Sequence, residues 1–158
     1  DNEFTSEERL TLQNVFELLA FDLDPNLFQY TPNPTKQSFK ELLDLYKQTE
    51  PIDENWTAQV NTLSSKLDQL ISSVQTYIQQ EDMSLFNKVY QYILYRQIDM
   101  LSDYSLESIL AYAKDGTDYI LMASALEGQP LKQIARWSQQ IEYDEDNVAL
   151  LLQHYEAQ

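Results

Sequence analysis

The chain has one histidine, no cysteine and 26 carboxylates, so any chemistry it performs rests chiefly on Asp, Glu and Tyr. A Ser-His-Asp relay would have to use His154. That residue falls near the end of the last expected helix, where an imidazole reads more simply as a helix-end charge. Lack of thiols removes Cys nucleophiles and thiolate metal sites. Leu151 stands three residues before His154, so the Glu-x-x-His pairing of di-iron bundles is absent. Asp22, Asp24 and Asn26 begin like a calcium loop. The sixth position is Leu27 where Gly is needed, and the twelfth is Asn33 where Glu is needed. An Asx-type turn accounts for them.

Carboxylates recur at helical spacing in Glu41 with Asp44, Asp99 with Asp103, Asp115 with Asp118, and Glu142 with Glu145. Residues three or four apart share a helix face. Such acids hold Mg²⁺ in helical nucleotide pyrophosphohydrolases, which makes that activity the enzymatic alternative. A phosphate substrate also needs basic groups beside the metal. Only Arg96 and Arg136 offer themselves, so the leading reading assigns no catalytic residue, no metal and no cofactor.

Tyrosine is abundant, with eleven copies. On a wheel of about 100° per residue, Tyr92, Tyr95, Asp99 and Asp103 fall on one side of an expected helix, away from its apolar arc. Tyr supplies area and a hydroxyl, and the acids can meet Arg or Lys, so this stripe is a candidate protein-binding face. A second candidate is Asp144, Glu145 and Asp146. Their simplest role is to cap a helix N-terminus. Three acids there also argue against a DNA-recognition helix.

These residues need a scaffold. The 158 residues fit a single domain over 1–158. The net charge of −16 is divided equally between the two halves. It opposes direct nucleic-acid binding and favours a basic partner. Two glycines cannot build a phosphate-cradling loop. No apolar run approaches the ~20 residues of a membrane span. No leader is evident in the residues given, which leaves a removed one open, and the absence of Cys suits the expected cytoplasmic location but also many secreted bacterial proteins.

Apolar spacing is helical almost throughout, and no alternating run argues for a sheet. The spacing predicts a helix from about Ser6 to Ala20, then an irregular Pro-containing loop near 21–34. Asn33 and Pro34 are expected to open the second helix. Trp56, Val60, Leu63, Leu67, Leu70, Val74 and Tyr77 form a heptad seam, predicting one long helix near 53–80. A wide apolar arc over Ser84–Leu101 predicts a central helix. Shorter helices follow from Ser105 to Lys114 with Gly116 just beyond, from Thr117 or Asp118 to Ala125, from Pro130, and from Asp144 to Tyr155. The fold class is all-α, a bundle of seven or eight helices.

This composition describes a binder better than a catalyst. The leading expectation is an acidic protein-binding domain, most concretely an inhibitor such as an immunity protein, antitoxin or nucleic-acid mimic, that occludes a basic site on a partner protein. A third reading is a scaffold or adaptor that oligomerises through the seam. A monomer is favoured, with a homodimer through Trp56–Tyr77 as the other state.

Overall fold

The structure, a computed structural model, describes residues 25–158. The expected helix Ser6–Ala20 and the first part of the Pro-containing loop lie outside the described residues. Seven α-helices follow, and among the described residues there is no strand. The all-α bundle is therefore as the spacing predicts. Among the same residues no helix is long and apolar enough to cross a membrane.

The described chain opens with a 3-10 turn at Pro25–Phe28. Helix α1 spans Lys36–Tyr46. Its cap is Thr35, whose hydroxyl accepts from the Ser38 N–H at 3.1 Å. The helix thus starts two residues later than Asn33 and Pro34 suggest, because the Thr35 hydroxyl satisfies the orphan donor.

The heptad stretch forms two helices, α2 at Glu54–Ser65 and α3 at Leu67–Gln80. They meet at Lys66, whose backbone leaves helical geometry at φ −118°, ψ 30°. Ser64 and Ser65 explain the joint. Their hydroxyls donate back to the Val60 and Thr62 carbonyls, a bond that bends helices. The seam still faces inward, with Trp56, Val60, Leu63, Leu70 and Val74 buried.

Helix α4 spans Ser84–Arg96 and then tightens into a 3-10 helix at Ile98–Ser102. It stops short of Leu101. Gln97 is buried at the change of geometry, and its amide donates to Glu142.

Helix α5 spans Leu106–Glu127 without interruption. Ser105 caps it as expected, accepting from the Ser108 N–H at 3.2 Å. The expected stop at Gly116 does not occur. Gly116 lies mid-helix because the indole of Trp137 sits where its Cβ would be. The helix ends instead at Gly128, whose φ of 75° suits glycine. Pro130 then opens α6, Pro130–Trp137, at its first position. A π-helical turn at Ser138–Glu142 leads to α7, Glu145–Glu156.

The central element is α5 rather than α4. Residues 116–124 are buried on every side, and α2, α3, α4, α6 and α7 all pack against α5. The buried apolar side chains form one cluster running from Phe28 to Leu152.

Candidate functional site

Most tyrosines bind inward. Tyr30 donates to Asp118, Tyr112 to Glu142, Tyr155 to Asp115, Tyr119 to Gln59 and Tyr90 to the Leu27 carbonyl. Tyr46 accepts from the Trp137 indole N–H at 3.0 Å. Burial pushes the Tyr46, Tyr112 and Tyr155 hydroxyls far above their ordinary range. They remain neutral at any ordinary pH. These bonds let carboxylates sit in the interior where cations are scarce. Among the described residues no buried side-chain polar atom lacks a partner. Much of the tyrosine that suggests a binder is thus spent on the core.

Asp115 and Asp118 share a face of α5, as their spacing predicts. Burial raises both pKa values, Asp115 to about 6. Lys114 pairs with Asp118 at 2.9 Å and opposes its shift. With Tyr30, Tyr155 and Lys114 as partners, these carboxylates join the C-terminal helix and the Pro25–Tyr30 segment to α5. No group of three His, Asp or Glu able to hold a metal occurs among the described residues. His154 is exposed in the last turn of α7, with Tyr155 against its ring.

The remaining candidate lies where α4 meets the turn before α7. Arg96, in the last turn of α4, pairs through Nε with Glu142 at 3.3 Å, and not with Asp99. The Glu142 side chain is nearly fully buried and also accepts from Tyr112 and Gln97. The Arg96 guanidinium lies 5.8 Å from the Tyr92 ring centre and 5.7 Å from that of Tyr143. Both contacts are in cation–π range. Tyr143 is 66% exposed, the most open of the large apolar and aromatic side chains described. Asp144, Glu145 and Asp146 follow it directly.

The structure therefore connects one member of the first candidate stripe to the neighbourhood of the second cluster. Tyr92 and Asp144–Asp146 are linked through Arg96 and Tyr143. Tyr95 is half-buried on α4. Asp99 and Asp103 are exposed, but Asp99 lies within the 3-10 helix and Asp103 ends it. A 3-10 helix advances about 120° per residue, so the α-helical wheel that aligned these two with Tyr92 does not hold beyond Arg96. Asp144 is the α7 cap, accepting from the Asn147 N–H at 3.0 Å. Glu145 and Asp146 are exposed in the first turn. Tyr143 is the member that sequence reasoning missed, and Glu142, expected beside Glu145, instead meets Arg96, Tyr112 and Gln97. An aromatic residue inside an acidic connection was the available signal for Tyr143.

The fold and this surface define an all-α acidic domain with an aromatic–arginine platform. Comparison with known proteins finds no matching family model, no matching curated protein and no matching solved structure.

Proposed function

We propose that this chain is a non-catalytic acidic domain that binds a basic protein partner and acts by occluding the partner's basic site. The observation that carries the reading is Tyr143. It is an exposed ring with the Arg96 guanidinium stacked 5.7 Å from its centre, and the Glu145 and Asp146 carboxylates lie beside it in sequence. An anchored aromatic loses little freedom on binding, which is the property of an interface anchor. Among the described residues no cation lies within ion-pair distance of Asp99, Asp103, Glu145 or Asp146. Their charge is available for steering a basic partner. In concrete form the domain is an inhibitor of the immunity-protein, antitoxin or nucleic-acid-mimic kind.

The test is affinity capture from a source lysate at low and high salt, with the Glu145→Lys/Asp146→Lys variant run in parallel. A basic protein retained at low salt, released at high salt and lost by the variant supports the proposal. A partner retained equally by the variant, or at every salt concentration, removes it. The alternative activity, Mg²⁺-dependent nucleotide hydrolysis, would show as thermal stabilisation by millimolar Mg²⁺ with a nucleotide.

A further inference from the structure

A groove opens between the segment before α2 and the exposed side of α6. It has a volume of about 220 Å³ and opens to solvent. Trp56 and Ala135 supply apolar wall, and Ile52, 47% exposed, stands at it without cover. Lys132 and Arg136 line it as well. Two cations at one groove are notable in a chain where acids outnumber bases 26 to 10. Among the described residues Lys132 has no ion-pair partner. Arg136 touches Glu127 only at 3.9 Å, so its guanidinium keeps donors for a second anion. The one carboxylate in the lining, Asp53, is committed to capping α2 through the Trp56 N–H.

The geometry points to a docking site for the C-terminal residue of a peptide chain, one with an apolar side chain. Size and charge together select this occupant. The groove is smaller than the roughly 300–1,000 Å³ of ordinary small-molecule sites, which matches one residue of an extended chain better than a larger ligand. It accommodates a single residue. An apolar group and a carboxylate then come from one residue, and within a peptide chain the last residue supplies both. The carboxylate meets Lys132 and Arg136, while the side chain lies over Trp56, Ala135 and Ile52. Capture of a free C-terminus is an established recognition mode. Repulsion from the rest of the acidic surface is screened beyond about 8 Å at physiological salt. This site shares no residue with the Tyr92–Tyr143 surface and does not depend on it.

The test uses the whole chain and two probes, N-acetyl-Ala-Ala-Leu with a free carboxylate and the same tripeptide as its C-terminal amide. Backbone amide shifts are followed by NMR during titration. The acid form is expected to shift Ile52, Asn55, Ala135 and Gln139 and to bind roughly tenfold more tightly than the amide, the effect of a charge-assisted contact. Lys132→Gln, at an exposed position, should narrow the acid form's advantage over the amide, with Arg136 keeping the remainder. Ala135→Phe, which fills the groove, should abolish both. Equal affinity for the two probes, shifts confined to other regions, no shift with either probe, or binding that survives Ala135→Phe would each overturn the site.

Discussion

The indole of Trp137 occupies the space that a side chain at Gly116 would need: a Cβ there would lie 2.5 Å from Trp137 Cζ2. This contact lets α6 approach the middle of α5 and lets a 22-residue helix run through a glycine. It follows that Gly116→Ala, a substitution that raises helix propensity, lowers stability. Forcing one methyl into a packed core costs about 1–3 kcal/mol. In a chain of this size, at about 2–4 °C per kcal/mol, that is roughly 2–12 °C in Tm. Thermal unfolding followed by circular dichroism reads it directly. The penalty should shrink in a Trp137→Leu background, where the colliding ring is gone. Equal penalties in the two backgrounds would mean the ring is not the obstacle.

The sequence was legible wherever a local signal and the tertiary packing agreed. Ser105, Asp144 and Pro130 open the helices they announce, and the seam from Trp56 to Val74 is buried as its spacing requires. It was misread where a distant side chain decided. Gly116 resembles a helix end until Trp137 arrives from 21 positions later in the sequence. Arg96 pairs with Glu142 across the fold, a partner that no local spacing announces. Tyrosine content suggested a sticky surface, and only the tertiary structure reveals how many hydroxyls serve buried carboxylates. At the candidate site Tyr92 and Asp144–Asp146 were visible, whereas Tyr143 draws its role from a ring contact that no spacing rule encodes.

The inward seam makes a specific claim about Leu70, which has no exposed surface. Leu70→Ala should destabilise the monomer by about 2–5 kcal/mol, the range for emptying a packed leucine site. If the seam instead joined two copies, the same change would lower the mass measured by sedimentation at a concentration where the parent chain is dimeric. Denaturant unfolding and sedimentation on one pair of samples separate the outcomes.

Asp144 and its two neighbours should behave differently under mutation. Asp144→Ala removes the cap on α7 and is expected to cost about 1 kcal/mol of stability. Asp146→Asn leaves every hydrogen bond described for α7's first turn in place and trims only a dipole contribution of about 0.3–1 kcal/mol. Thermal melts of the two variants check the order. A partner-binding defect from Asp146→Asn with little loss of stability would belong to the interface, while one from Asp144→Ala would be mixed with a frayed helix.

Asp115 gives the fold an acid-side preference. Burial is the main cause of its raised pKa, and the like charge of Asp118 adds to it, while the Tyr155 hydroxyl and Lys114 oppose it. A carboxyl raised to about 6 holds its proton more tightly in the folded chain than in the unfolded one. Its contribution is therefore complete below the unfolded value of about 3.9 and fades as the pH rises through about 6. Asp44, Asp82 and Glu156 act in the opposite sense. Their pKa values are lowered by hydrogen bonds, so what they add is lost as the medium turns acidic. The parent chain's pH profile mixes these trends with relief of net negative charge, and a single melt cannot separate them. Asp115→Asn can, since groups remote from Asp115 titrate alike in both proteins and the amide oxygen still accepts from Tyr155. The variant should exceed the parent by about 1–2 kcal/mol at pH 7, with the gap closing toward pH 4. Denaturant titrations of both proteins at several pH values would show it. A variant less stable at neutral pH, or a gap independent of pH, would mean that Asp115 is ionised at little cost and that its bond to Tyr155 outweighs its burial.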